Sequence, residues 1–311
     1  MGETGIRGRW RAARRACMAA AIALAGCAAQ LPAVAPPPAL PVPPVVTPAP
    51  PKPPRLGLAL GGGAARGFAH VGVIQVLEEA GLRPDLVVGT SAGSLVATLY
   101  ASGRSGVQLQ QVAEAMDEAA FTDWTLPLFN RGMLRGEALS RYVNAQVGNR
   151  LIEQMPLPLG IVATRLDTGE GVLFQRGDTG TAVRASSAVP AVFLPVHISG
   201  YDYVDGGLVA PVPVRYARQM GAEVIIAVDI SAAPEGNTAS DPIQMLLQTF
   251  AIMGKTINRS ELQQADIVVR PALVGMGSAD FASKRRAIEA GRRAMQRLLP
   301  QLQAAIAAKT Q

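Results

Sequence analysis

Serine, glycine and aspartate recur in three short stretches of this 311-residue chain at spacings that suit nucleophilic attack on a carbonyl. The first is Gly89-Thr90-Ser91-Ala92-Gly93, a G-x-S-x-G pentapeptide between an apolar run of strand length and a helix-period segment. A serine at a sharp strand-to-helix turn has no room for bulky neighbours. Gly89 and Gly93 let the chain pass there and leave Oγ exposed at a helix N-terminus. Alone the pentapeptide is weak, since a serine before a helix is often an N-cap. The second stretch is LALGGGAARGFAH, residues 58–70, a strand running into Gly61, Gly62 and Gly63 and then a helix. Glycines here let successive backbone N–H groups converge on one spot, which suits a phosphate or a developing oxyanion. A dinucleotide fingerprint fails in detail, because Arg66 stands where its third glycine belongs and Asp85 begins the next strand instead of ending it. No G-K-[ST] follows, so a P-loop is excluded. Arg66 could orient the loop, attract an anionic head group or pair with a carboxylate. The third stretch is YVDGGLVAPVPV, residues 203–214, with Asp205 at the end of an apolar strand before Gly206 and Gly207. A D-G-G hairpin turn is its plain alternative.

A nucleophilic serine needs a base, and the chain owns two histidines. In the order Ser, acid, His, no histidine follows Asp205. Asp167 and Asp178, which precede His197, both lie in a turn-rich region. An Asp, His, Ser order needs an aspartate before His70, and none exists. The order His70, Asp85, Ser91 crowds three groups onto consecutive elements with Asp85 at the wrong end of its strand. A histidine triad is therefore poorly supported, and a serine paired directly with an aspartate remains.

GGGAARG, GTSAG and DGG, in that order and on those elements, resemble the bacterial branch of the patatin-like phospholipases across roughly residues 55–232. The resemblance implies a Ser-Asp dyad, with Ser91 as nucleophile and Asp205 as general base. It also implies an oxyanion hole from the amides around Gly61, Gly62 and Gly63. Arg66 and Gly67 match the family's loop, Gly89 and Gly93 flank its serine, and Gly206 and Gly207 follow its aspartate. Arg165 departs from the pattern, since relatives commonly carry an aspartate there, which alters a local ion pair without touching the dyad. The expected activity is a phospholipase A or lysophospholipase type of acyl hydrolase acting on membrane lipids. A rival of another class is a non-catalytic lipoprotein that binds lipid in the same pocket or scaffolds an envelope assembly.

The elements that must position these groups are legible as alternating runs from Arg55 onward. Strands are expected at residues 55–60, 85–89, 159–164, 171–175, 223–230 and 266–271. Helices are expected at 67–81, 91–103, 213–221, 241–257 and 282–299, the first two closed by Gly81 and Gly103. This alternation predicts an α/β fold, a doubly wound, mainly parallel sheet of about six strands with helices on both faces in three layers. Short connections favour one domain over residues 55–311.

The N-terminal part has a different character. Its RGRWRAARRA and CMAAAIALAG runs form a basic then apolar pair suited to a signal peptide and too short to span a bilayer. LAGC, ending at Cys27, resembles a lipobox, so residues 1–26 are expected to be removed and Cys27 lipidated. Removing them takes away five arginines and Glu3, and the formal charge falls from +6 to +2. The basicity thus belongs to the leader and gives no case for nucleic acid. Residues 27–54 would follow as an extended Pro/Ala-rich tether holding half of the chain's 24 prolines. The expected location is the bacterial envelope, facing the periplasm, with Ala28 favouring the outer membrane. Cys17 falls inside the leader, so no intramolecular disulfide is expected.

Other groups carry plainer readings. The two D-T-G triplets, at Asp167 and Asp178, flank a single strand-like run and read as turn residues. His70 and His197 read as structural. No His, Cys and carboxylate spacing suits a metal, and no cofactor is expected. Residues 121–134 read as a lid-like apolar segment or a buried connector. The basic helix near residues 282–299 reads as a solvated outer face.

Overall fold

The computed structural model describes residues 52–116, 134–232, 242–277 and 280–310. The leader, Cys27 and all but the end of the tether lie outside the described residues, as does all of the lid-like segment except Leu134. Residues Pro50–Gln311 form one compact unit.

Eight strands make one sheet: β1 (Leu56–Leu60), β2 (Leu86–Thr90), β3 (Leu159–Arg165), β4 (Gly171–Phe174), β5 (Val196–Ile198), β6 (Tyr201–Asp205), β7 (Val224–Val228) and β8 (Ile267–Val269). Their order is β5-β6-β3-β2-β1-β7-β8, with β4 also on β3. The centre, from β3 to β8, is parallel, whereas β4 and β6 join β3 antiparallel and β5 joins β6 antiparallel. Because β1, β2 and β7 are buried along their whole length, they read as unbroken apolar runs.

The helices are α1 (Phe68–Glu79), α2 (Ala92–Ala101), α3 (Gly106–Ala115), α4 (Glu137–Val147), α5 (Thr179–Ser186), α6 (Val214–Gln219), α7 (Pro242–Glu261) and α8 (Lys284–Lys309). Strand side chains alternate between the two faces and sort them into layers. Leu56, Leu58, Leu60, Ile226 and Val228 pack with Val71, Ile74, Ala287 and Met295 of α1 and α8. Ala59, Val88, Ile225 and Ala227 pack on the other face with Val214, Tyr216 and Ala217 of α6. The fold is a mainly parallel, three-layer α/β/α sandwich.

α1 and α8 cross closely. A Cβ on Gly72 would overlap the Ile288 carbonyl oxygen, and one on Gly291 would overlap that of Ala69. Arg292 of α8 forks onto Glu79 of α1 at 2.7 and 2.9 Å, and Arg285 meets Glu114 at 3.1 Å, so the basic helix is ion-paired on its outer side.

The sheet holds eight strands where about six were expected; β6 is the strand that ends at Asp205, and β5 pairs with it in a short edge hairpin with exposed residues at its turn. Asp178 is not a turn residue but the N-cap of α5, its Oδ1 accepting from Thr181 N–H at 2.7 Å. Asp167 does sit at the strand end, where it binds Arg165 Nε at 2.7 Å, and the Arg165 guanidinium also covers the Tyr201 ring at 3.8 Å.

Candidate active site

The register of β3 brings the serine and aspartate motifs together. β4 pairs with β3 over Ile161–Thr164, so it holds one edge of that stretch. β2 pairs with the opposite edge as far as Thr90 against Val162. β6 takes over on that same edge with Asp205 against Ala163, running the other way. The C-terminal ends of β2 and β6 therefore meet head to head, and the next residue of one is Ser91 while the last of the other is Asp205. Gly206 makes this meeting possible, because a Cβ there would overlap the Val162 carbonyl and come within 3.2 Å of Thr90 Cγ2.

Ser91 sits at φ 53° and ψ −124°, a backbone conformation that a side chain-bearing residue adopts only under constraint. It occupies the N-cap position of α2 yet its side chain makes no capping bond, so the hydroxyl is not spent on its own helix. The constraint comes from several directions. Ser91 N–H donates to Ser186 Oγ at 2.9 Å, and Ser186 Oγ donates in turn to the Val162 carbonyl at 2.6 Å. The Ser91 carbonyl accepts from Ser94 N–H at 2.8 Å and Ser94 Oγ at 2.6 Å. A Cβ on Gly93 would overlap the Leu60 carbonyl, and one on Gly89 the Gly93 carbonyl, so both flanking glycines are set by close approach. Gly67 lies against Ala92, at 2.9 Å from a built Cβ.

Asp205 is buried, 7% exposed, and its Oδ1 accepts from Gly207 N–H at 2.6 Å. Burial pushes the carboxyl up to about 6, against the Gly207 N–H and the neighbouring Ser91 side chain, which favour the ionised form. Its backbone is fixed as well, with the N–H on the Ala188 carbonyl at 3.0 Å and the carbonyl accepting from Thr164 Oγ1 at 2.8 Å.

The glycine loop corrects the sequence reading. Gly61 N–H donates to the Val228 carbonyl at 3.0 Å, extending the β1–β7 ladder by one residue, and Gly62 N–H donates to the Pro211 carbonyl at 2.9 Å. Neither amide is free to receive an oxyanion. Gly62 instead supplies room, a Cβ there lying 3.2 Å from Ser91 Cβ. Gly63 and Ala64 line the cavity beside Ser91, and their N–H groups have no partner among the described residues. Behind them His70 is fully buried, its Nε2–H donating to the Gly61 carbonyl at 2.8 Å. Burial drives this imidazole down to about 4, so it is neutral and props the loop. His197 lies exposed on the edge hairpin with Nδ1 2.8 Å from Asp202 Oδ1.

These groups open into a cavity of about 950 Å³. Its polar part holds Ser91, Asp205, Arg66 and Asp229, and its apolar part Leu247, Phe250, Leu273 and Val274. Arg66 is held below its usual basicity by burial, partly offset by Asp229, and its Nε has no hydrogen bond among the described residues. Asp229 also accepts from Arg270 Nε at 3.2 Å and from Ser231 N–H at 3.1 Å. Among the described residues no three His, Cys, Asp or Glu side chains cluster as metal ligands. Ser186 and Asp229 escaped the sequence reading, since isolated polar residues in apolar surroundings carry no spacing signal.

A strained serine elbow facing a buried aspartate, at the strand ends of a three-layer α/β/α sandwich, defines a class of serine-bearing α/β protein. A family model described as patatin-like phospholipase matches residues 58–218, just over half of the chain. An uncharacterized NTE family protein of Mycobacterium bovis is 38% identical over 184 residues, 59% of this chain and 51% of that protein. A second, from Mycobacterium tuberculosis, is 31% identical over 77% of this chain and 45% of its own length. Mouse patatin-like phospholipase domain-containing protein 6 is 34% identical over 58% of this chain and 14% of its own. Among solved structures, VipD from Legionella pneumophila superposes with a TM-score of 0.52 at 16% identity, covering 82% of this chain and 68% of that one. The chain belongs to the patatin-like phospholipase family. It spans about half the length of the bacterial relatives it matches.

Proposed function

We propose that this chain is a serine esterase that hydrolyses the carboxylic esters of membrane lipids through a Ser91-Asp205 dyad. The observation that carries the reading is the meeting, on one edge of β3, of the buried Asp205 carboxylate and a strained Ser91 whose hydroxyl makes no capping bond. As Ser91 Oγ attacks the acyl carbonyl carbon, Asp205 takes the hydroxyl proton, and the carbonyl oxygen becomes an oxyanion. The N–H groups of Gly63 and Ala64, with that of Ala92 behind the serine, are the donors assigned to it. One such donor contributes about 3–4 kcal/mol to transition-state stability. Collapse of the tetrahedral intermediate expels the alcohol, which leaves with the proton from Asp205. Water then attacks the acyl-enzyme and gives its proton to Asp205, and as the second tetrahedral intermediate collapses Asp205 passes that proton to Ser91 Oγ, which leaves as the free hydroxyl while the fatty acid departs. A carboxyl near 6 is ionised at neutral pH yet basic enough to share the serine proton.

Family membership supports a lipid substrate, and the cavity, polar around Ser91 and apolar along Leu247 and Phe250, suits an ester with an acyl chain. The lipobox adds to the proposal an anchor at Cys27 that holds the protein in the bacterial envelope, facing the periplasm. The deciding measurement is fatty acid release from phospholipid and lysophospholipid micelles. Release is expected from the wild-type chain and absent in Ser91→Ala and Asp205→Asn. Undiminished release by Asp205→Asn would remove the dyad, and no release by a folded wild-type chain would leave the non-catalytic lipid-binding role.

A further inference from the structure

α7 walls one side of the cavity that holds Ser91 and carries apolar side chains on both of its long faces, with Gln244 and Gln248 also lining the cavity. Leu247, Phe250 and Ala251 line the cavity, and Gly254 meets Pro211 on the same side. On the far side Met245, Ile252 and Met253 are 57%, 53% and 47% exposed. Met245, Thr249, Ile252 and Thr256 recur there at i, i+4, i+7 and i+11, one stripe of the helix. The two threonine hydroxyls donate back to the Met245 and Ile252 carbonyls, at 2.9 and 3.3 Å. That stripe therefore presents methyl groups, not free hydroxyls. Val274, which also lines the cavity, is 94% exposed at its rim.

Charge narrows what can cover this face. Between residues 244 and 260 the only ionisable side chains are Lys255 and Arg259, and residues 270–277 add only Arg270. Arg270 is bound to Asp229, so the exposed charges on α7 beside this apolar crest are those of Lys255 and Arg259, the pattern of a helix lying in the head-group region of an anionic lipid layer. We infer that the outer face of α7, with Val274 at the rim, seats the domain on such a layer, so that acyl chains pass from lipid into the cavity. The inference rests on the esterase reading for its purpose, although the surface itself can be tested separately.

The test uses the full chain carrying Cys27→Ser, so that no lipid anchor contributes, and flotation with vesicles of phosphatidylcholine alone or mixed equally with phosphatidylglycerol. A triple variant, Met245→Glu, Ile252→Glu and Met253→Glu, changes only side chains outside the cavity lining. It is expected to float roughly tenfold less with the mixed vesicles. Its hydrolysis of a water-soluble short-chain ester is expected to match wild type. Unchanged flotation overturns the surface. Loss of flotation accompanied by conversion of a dimer to a monomer in light scattering also overturns it, by assigning the face to a second copy. Weakened flotation in a chain that never cleaves the soluble ester keeps the surface and refutes the esterase. Should the triple variant misfold by circular dichroism, Lys255→Glu with Arg259→Glu decides. That pair is expected to abolish the preference for phosphatidylglycerol, and a retained preference overturns the proposal.

Discussion

Burial raises the Asp205 carboxyl to about 6, and this one shift links stability to catalysis. The folded value lies above the ordinary carboxylate value of about 4, so the group's stabilising contribution is full below about 4 and is lost as pH rises through about 6. Holding the charge in the buried site at neutral pH costs on the order of 3 kcal/mol. Asp205→Asn keeps an acceptor for Gly207 N–H and removes the charge. It is expected to melt several degrees above wild type near neutral pH and to show no such gain near pH 4, a comparison read from thermal melts at the two values. Catalysis has the opposite preference, because the base must be ionised. The kcat/KM of the wild-type enzyme is expected to rise with pH through an acid limb near 6 and then level off. A limb near 4 would mean that the base titrates as an ordinary carboxylate, without the rise that burial gives Asp205. Ser186 acts one bond further out, by holding the Ser91 amide against β3. Ser186→Ala leaves that amide without its partner, at about 1–3 kcal/mol of stability. It is expected to lower kcat on the order of tenfold or more with KM little changed, since a misplaced nucleophile weakens the chemical step and not substrate binding.

At the scale of elements, what the amino-acid pattern disclosed follows burial. β1, β2 and β7 are apolar on both faces, and each lies within the run of residues that its composition marked. Of the β5–β6 hairpin only the apolar end of β6 before Asp205 stood out, because His197, Tyr201 and Asp202 are exposed and the strands are too short for a period to emerge. That hairpin nonetheless decides the site. Ser91 and Asp205 stood out as motifs, but their meeting depends on β6 taking the edge of β3 that β2 vacates after Thr90, a tertiary fact with no local signature. The glycine loop shows the same limit, since three consecutive glycines look alike until β1 extends its ladder to β7 and withdraws the first amide. The α1–α8 crossing supports the layer beneath this loop through glycines rather than large side chains. Gly291→Ala would drive a methyl into the Ala69 carbonyl, and separating the helices is expected to cost about 3 kcal/mol or more. Urea unfolding measures that loss. The activity of the fraction that stays folded is expected to survive, because α8 contributes no group to the cavity.

For the whole molecule, if residues 1–26 are removed as proposed, the charge falls to +2, and the question is how such a chain would reach the lipid substrate proposed for it. A lipid on Cys27 would fix the chain to the membrane but not its orientation, because a Pro-rich tether of residues 27–54, at about 3 Å per residue, extends over some tens of ångströms. The outer face of α7 would supply the orientation. The two contributions are separable, as the two acyl chains of a diacylglyceryl group on Cys27 would hold the chain at the membrane by themselves, whereas a small interfacial face gives only modest affinity. Cys27→Ser in cells is expected to move most of the protein into the fraction released by a high-salt wash, with hydrolysis of soluble ester unchanged. The triple glutamate variant of α7 with Cys27 intact is expected to remain in the membrane fraction yet to release much less fatty acid from bilayer lipid. Retention of Cys27→Ser through the wash would refute the anchor. Full release of bilayer fatty acid by the glutamate variant would show that anchoring alone delivers substrate to Ser91.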